Sequence, residues 1–194
     1  MTSSVPLPPP YNRIHRHEVL PEVTHDESSR LNFISNLNTH IGAALFPGVG
    51  AAYEGRVKPV FVKEHGREPQ TSVEVRDAMK KDSAYQVWAA IRRNTMEMRH
   101  QIGRAVVFRQ IDRLIDNAKR LNDGSNRLRL DDSVVVPRYV AAADNHCMPG
   151  SYYSELFPDD VSGPANYETG HYATVAGGTG PKSDIVGRGM VAWL

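Results

Sequence analysis

Residues Ser83–Leu121 read SAYQVWAAIRRNTMEMRHQIGRAVVFRQIDRLIDNAKRL, with no proline anywhere in the run. Tyr85, Trp88, Ile91, Thr95, Met98, Ile102, Val106, Arg109, Arg113 and Asp116 follow one another at three or four residues, the spacing of one helix face. Ala105, Phe108, Ile111, Leu114, Ile115 and Ala118 add a later apolar face. Asp82 suits a cap in front, and Asn122-Asp123-Gly124 is a stop signal. The stretch predicts one long helix, or two helices meeting at Gly103. With it comes a mainly α fold: a helical bundle of four or five helices, followed by an irregular Gly-rich segment.

Toward the N-terminus the same logic continues. From Glu27, the residues Leu31, Ile34, Leu37, Ile41 and Leu45 build an apolar stripe, which Pro47-Gly48 is expected to end. A second helical stretch over 49–64 presents Ala52, Tyr53, Val57, Val60 and Phe61. Pro59 removes a backbone donor there, so a kink or break is predicted near Arg56. Thr71-Ser72-Val73-Glu74 matches a capping box, in which hydroxyl and carboxylate each satisfy an orphan amide. The short helix behind it should end near Lys81. Residues 1–26, with their Pro-rich start, read as an extended arm, and 27–136 as the helical domain.

Toward the C-terminus the helical period fades. Leu128–Leu130 and Val134–Val136 are short extended runs before Pro137. Residues 137–194 read as a loop-rich segment packed on the helical domain, ending in a helix that Ser183-Asp184 would cap. Tyr172-Ala173-Thr174-Val175, followed by the glycines of 177–180, has the form of a strand entering a phosphate-binding turn. A dinucleotide fold needs a helix, a second strand and an acidic residue about 20 positions beyond such a turn. The chain has too few residues after Gly180 for that, so the turn reads as a flexible glycine connection and no residue is assigned to cofactor binding. No internal repeat is evident.

Composition narrows the function classes. The 194 residues carry 23 basic and 22 acidic side chains, a net charge of +1, which argues against a nucleic-acid partner. Charge and glycine are uneven: residues 150–194 hold 2 of the basic and 5 of the acidic groups but 8 of the 15 glycines. A single cysteine, Cys147, excludes an internal disulfide and a four-cysteine zinc site. The longest run free of strong polarity, 42–53, is interrupted by Pro47 and is far below the roughly 20 residues of a membrane span. The first ten residues lack a basic start and an apolar core, so no secretory signal is read and a cytoplasmic location is expected. Arg92, Arg93, Arg99, Arg104 and Arg109 stand against Glu97 alone, a basic helix face that is solvated, paired, or a surface for an acidic partner. Trp88, Met96, Met98 and Phe108 read as core. His15 and His17 fall in the arm, and they and the remaining histidines outside 137–194 show no ligand spacing.

Three ordered segments carry a resemblance. They are Leu31–His40 with Phe46-Pro47-Gly48-Val49; Trp88–Arg109; and Pro137-Arg138-Tyr139 leading to Asp144-Asn145-His146-Cys147-Met148-Pro149-Gly150-Ser151-Tyr152 and Asp159–Ser162. Together they resemble the N-terminal region of a group of bacterial class I methyltransferases. In that group a helical region and a Pro-Gly-Tyr loop precede the fold that binds S-adenosylmethionine. The resemblance covers residues 28–194 and implies the acceptor side of a small-molecule methyltransferase. The cofactor motif of the group would lie beyond Leu194, so no S-adenosylmethionine site is expected in this chain, and its partners would be a small-molecule acceptor and a cofactor-binding domain.

Side-chain chemistry supplies the candidate roles. His146, His171 or Glu168 would take a proton from the acceptor, and Asp144 would orient His146. Tyr152 and Tyr153 would line the acceptor pocket. Asp144, His146, Cys147 and His171 are also metal-ligand types, but their spacing matches no zinc pattern and no metal is expected. The C-terminal helix presents Ile185, Val186, Met190, Val191, Trp193 and Leu194, which need a cover, so either self-association through this end or its disorder in a monomer is expected. The alternative is a stand-alone, non-enzymatic interaction module.

Overall fold

The computed structural model describes residues 10–13, 15–123, 131, 133–144, 146–148, 153–175 and 184–193. The described residues are mainly helical and contain no strand, as the fold class requires. Their contacts separate into two units: Leu37–Thr95, and the described parts of Leu7–Asn36 and Met96–Leu194. The chain passes between them inside helices α1 (His25–His40) and α5 (Ser83–Phe108).

In the first unit, two prolines that were expected to stop or break a helix are absorbed instead. The chain continues from α1 through a π-turn at Ile41–Leu45 into α2 (Phe46–Ala52), then through a second π-turn at Tyr53–Val57 into α3 (Lys58–His65). A proline ring collides with the carbonyl four residues back. In each π-turn the backbone N–H just before the proline reaches five residues back, Phe46 to Ile41 and Lys58 to Tyr53, and the wider turn makes room for the ring. Pro47 is therefore not a terminus, and the distortion expected near Arg56 is this π-turn. The pair of Pro-bearing turns also forms a short structural repeat that the residue pattern had not disclosed.

The capping box opens α4 (Ser72–Met79) as expected: Glu74 N–H donates to Thr71 Oγ1 at 3.2 Å, and Glu74 Oε2 accepts from Gln70 N–H at 2.8 Å. Arg67 holds the same carboxylate, and its hydrogen bond is the main reason the Glu74 pKa falls to about 2. Asp82 accepts Ala84 N–H at the start of α5 and binds the Arg56 guanidinium through both oxygens. Ile41, Ala52, Phe61 and Met79 form the buried apolar part of this unit, and Trp88 packs on Phe46.

The second unit is built around α8 (Ser162–Val175), a helix absent from the sequence expectation. The supposed strand 172–175 is its last turn. Its buried residues Ala165, Asn166, Thr169, Gly170, Tyr172 and Ala173 do keep helical spacing, but all except Tyr172 are small or polar, so an apolar pattern shows them poorly. Asp160 starts the helix, accepting Ser162 N–H at 2.6 Å and Leu156 N–H at 2.9 Å. Burial raises the Asp160 pKa, but these hydrogen bonds outweigh it and the net shift is downward.

Against α8 lies the Met96–Phe108 part of α5. Gly103 does not divide the long helix; it lets α8 come close. A Cβ at 103 would stand 2.3 Å from Asn166 Oδ1 and 2.5 Å from Thr169 Oγ1. The break falls instead at Arg109-Gln110, before α6 (Ile111–Asn122). There Gln110 exchanges hydrogen bonds with the Glu22 backbone in both directions, and Arg109 grips the Glu27 carboxylate at 2.7 and 2.9 Å. Glu27 is also the acid of an unforeseen second capping box: Thr24 N–H donates to it at 2.7 Å, and α1 starts at His25.

Within 10–26 the described residues Tyr11, Leu20 and Pro21 are buried, whereas 15–18 are exposed. Tyr11 is fully buried, its ring edge-on to Tyr172 at 5.2 Å, and Asn32 Oδ1 accepts both Tyr11 N–H and the Tyr172 hydroxyl. Leu20, Leu31, Val23 and Ile102 complete this cluster, while Val107, Leu114 and Ala165 form a second with Ile111 and Val161. The stripe from α1 is buried at Leu31, Ile34 and Ile41. Val134–Val136 are exposed and not in a strand, and Met98, expected in the core, is exposed. Pro137 precedes the short α7 (Arg138–Ala141). The C-terminal helix exists as α9 (Ile185–Trp193), yet Ile185, Val186, Met190, Val191 and Trp193 are all exposed rather than packed on a helical domain. The glycine turn 177–180, the 128–130 run, and residues 1–9, 183 and 194 lie outside the described residues. No helix among the described residues is long and apolar enough to cross a membrane.

The crossing at Gly103 predicts opposite outcomes for two glycine substitutions. Gly103→Ala must displace Asn166 and Thr169 and should cost about 1–3 kcal/mol. Gly50→Ala, with open space around the new methyl, should stabilise by about 0.5–1 kcal/mol through helix propensity. Urea unfolding followed by circular dichroism checks both, and equal effects would disprove the close crossing.

Candidate functional site

The half-exposed face of α8 carries Pro164, Tyr167, Glu168 and His171, at the i, i+3, i+4, i+7 spacing that places residues on one side of a helix. Two of the three proton-accepting candidates, Glu168 and His171, therefore share a face. The third, His146, comes from the loop after α7 and meets that face through Tyr167. The Tyr167 ring stands 6.1 Å from the His146 ring, perpendicular to it, and 5.6 Å from the His171 ring. One tyrosine thus collects both histidines. Glu168 Oε2 has His17 Nε2 3.7 Å away, each side chain about four-tenths exposed.

The remaining candidates sit elsewhere. Asp144 was expected to orient His146; its Oδ1 instead accepts Met148 N–H at 2.9 Å and shapes the loop. Cys147, buried and outside any disulfide, takes a positive φ of 56° in that turn. Tyr153 donates its hydroxyl to Ala141 O at 2.9 Å and lies in the exposed loop. Tyr152 lies outside the described residues. Among the described residues no three His, Cys, Asp or Glu side chains converge on a point where one metal ion would reach them.

Behind the face lies a polar core that the sequence reading assigned to a basic surface or left without a role. Arg99 is 1% exposed and His100 is 0% exposed. Arg99 Nη1 donates to Gly170 O at 3.1 Å, while Nε and Nη2 both point at His100 Nε2, at 3.2 and 2.9 Å. An imidazole nitrogen that receives two guanidinium donors acts through its lone pair, so His100 is neutral with its proton on Nδ1. Burial, and then the Arg99 charge, push the His100 pKa down to about 4, against the opposing pull of Asp144 and the His146 backbone. The basic helix face is accordingly dispersed: Arg99 is interior, Arg109 is bound to Glu27, Arg92 donates to Asn38, and Arg104 lies over the Phe108 ring.

Tyr167, Arg99, His100 and His17 are the residues that sequence reasoning passed over. Tyr167 was findable from its four-residue spacing to His171, once residues 162–175 are known to be helical. Nothing in the local pattern marks Arg99 as interior, because the carbonyl it reaches, Gly170 O, is 71 positions away.

The arrangement can accept a proton at an imidazole or carboxylate on a half-exposed helix face, with that face anchored from behind at Gly170. No known protein family matches the sequence, and no curated protein or solved structure matches it.

His100 makes the second unit sensitive to mild acid. Its folded pKa lies below the ordinary value of 6.5, so between pH 6.5 and 4 the unfolded chain binds the extra proton. The His100 contribution is therefore complete above pH 6.5 and falls as the pH drops toward 4, by a total of about 3 kcal/mol. Chemical unfolding across this range should show that loss, and His100→Gln, which cannot be protonated, should remove most of it.

Proposed function

We propose that this chain forms the acceptor side of a small-molecule methyl-transfer system, acting in the cytoplasm. The observation that carries the reading is the grouping of His146, Tyr167, Glu168 and His171 on one half-exposed face, above a buried Arg99–His100 anchor. Methyl transfer asks little covalent chemistry of a protein. It needs an acceptor held in line, shielded from water and relieved of a proton. His171 or His146 would receive that proton, and Tyr167 would form the wall between them. Glu168 would hold the polar end of the acceptor. Arg99 would act as a positioning residue, because its bond to Gly170 O holds the turn of α8 that presents Tyr167, Glu168 and His171.

The donor would be S-adenosylmethionine, as the resemblance to class I methyltransferases implies. A class I cofactor site is built on a parallel sheet. The described residues contain no strand, so they do not fit that group, and the proposal gives this chain only the acceptor. The cofactor would be held by a separate cofactor-binding domain.

The test joins the full chain to such a class I domain, or mixes the two, and follows tritium from methyl-labelled S-adenosylmethionine into the small-molecule fraction of a cell extract. Label should appear only with both parts present, and His171→Ala or His146→Ala should lower its rate at least about tenfold. The chain alone should bind S-adenosylmethionine no more tightly than about 10 µM, roughly 7 kcal/mol. Transfer that survives both histidine substitutions would overturn the reading.

A second reading, an interaction module, is favoured by α9 alone, whose five large apolar side chains are exposed. A second copy of the chain would be their cover. Light scattering with hydrogen exchange tests that cover: a strictly monomeric chain with well-protected 185–193 amides would rule out self-association and favour a self-sufficient, stand-alone binding module.

A further inference from the structure

Beside the histidine face, a cavity of about 290 Å³ opens between Val19, α6 and the first half of α8. Its deep wall is Leu114 and Ala165, both buried, continued by Val19 and Ala118. The half-exposed lining residues Tyr167 and Glu168 link it to the candidate site. Among the described residues, Glu168 is the only charged side chain in the lining. An apolar cleft with one or two polar groups is the usual form of a small-molecule site, and this volume is at the small end of that range.

The charge decides which small molecule fits. A carboxylate ligand would meet Glu168 as a like charge beside apolar walls, where repulsion is strong. A neutral alcohol would make an ordinary hydrogen bond. A protonated amine would make a charge-assisted one, the stronger type. His17 Nε2 stands 3.7 Å from Glu168 Oε2, an ion-pair distance beyond hydrogen-bond range, so an amine that reaches hydrogen-bond distance would compete with it for the carboxylate. A divalent cation would find one carboxylate and no converging set of ligands among the described residues.

We infer that the cavity between Val19, α6 and α8 binds the apolar body of a small primary or secondary amine whose nitrogen is held by Glu168. The inference rests on the acceptor-side reading for its biological meaning, and it names the acceptor as an amine. The bound nitrogen would lie at the Glu168 side chain, on the same helix face as Tyr167 and His171. The binding itself requires no cofactor and no second polypeptide.

Three near-isosteric probes separate the charge states: phenethylamine, 2-phenylethanol and 3-phenylpropionate, each titrated into the full chain and followed by amide nuclear magnetic resonance. Phenethylamine should saturate, with shifts centred on Val19, Ala118, Ala165 and Glu168. The alcohol should bind at least about tenfold more weakly, and the carboxylate should not saturate. Glu168→Gln, a substitution at a half-exposed position, should bring amine and alcohol to equal affinity. Val19→Trp, which fills the cavity from its edge, should abolish amine binding with an unchanged melting temperature. Equal binding of all three probes, an amine preference that survives Glu168→Gln, or no saturation by phenethylamine below about 10 mM would overturn the inference. Loss of methyl transfer with amine binding intact would remove the methyl-transfer reading and leave the cavity assignment standing. Methyl transfer without amine binding would do the reverse.

Discussion

The second unit depends on how closely α8 approaches α5. A helix rich in small and polar residues has little apolar surface with which to hold itself in a core. It is kept there by proximity: the absence of a side chain at Gly103 lets Asn166 and Thr169 sit where a methyl would collide. At Gly170 on α8 the fit is less strict, and a Cβ there would make ordinary contacts, 3.4 Å from His100 and 3.6 Å from Arg99. At that separation the Arg99 guanidinium can reach the Gly170 carbonyl across the crossing. Buried Asn166 Oδ1 makes no conventional hydrogen bond among the described residues and lies where a Cβ at 103 would be. Once this contact is set, the buried side of α8 is fixed, and so is the opposite side that carries Tyr167, Glu168 and His171.

A recurring device fixes helix ends in both units. In each, a capping-box glutamate is also the acceptor for an arginine: Glu74 for Arg67 in one, Glu27 for Arg109 in the other. The two pairs differ in span. Arg67 and Glu74 are 7 residues apart and stiffen a local turn, whereas Arg109 and Glu27 are 82 apart and tie α1 to the end of α5. In Glu27 burial opposes ionisation, and hydrogen bonds from Arg109 and Thr24 outweigh it, leaving the pKa below the usual carboxylate range. The long-range pair is therefore the one whose loss would leave a half-buried carboxylate without compensation. The break after Phe108 follows from the same contacts, because Arg109 and Gln110 must leave the helix to meet Glu22 and Glu27.

What was legible in the residues follows from which forces are local. The apolar stripe from Leu31 to Ile41, the Thr71–Glu74 box, the cap at Asp82 and the α9 helix are set by neighbours within one or two turns. The misplaced features have partners far along the chain. Gly103 reads as a weak point until Asn166 and Thr169 stand against it. Pro47 and Pro59 read as breakers because an α-helix has no room for them, and a π-turn does. Residues 162–175 hide their helix because, apart from Tyr172, the buried face is Ala, Asn, Thr and Gly, suited to closeness rather than hydrophobicity. The candidate site divides the same way. His146, Glu168 and His171 are marked by their chemistry, but the ring that collects the two histidines, Tyr167, is marked only by helix geometry. Asp144 was given a partner by proximity in sequence, and the loop backbone took it instead.

The polar interior behind the site bears on which function it can serve. Burying a guanidinium and an imidazole together costs several kcal/mol of lost hydration, and apolar side chains of similar size would pack more favourably. A helix face that needed only to display a surface to a partner protein would gain nothing from that cost. A face that must hold three titratable groups in a set relation gains a fixed backbone at Gly170, since the Arg99 bond locates one carbonyl within the turn that carries them. Neutral His100 is the suitable second acceptor for that arginine. It takes two donors without adding a negative charge that would raise the pKa of nearby imidazoles. A carboxylate in its place would bind Arg99 more strongly but would shift the bases on the face above. On the proposed acceptor-side reading, the buried pair is matched to positioning the acid–base groups that α8 carries, through the backbone it fixes at Gly170.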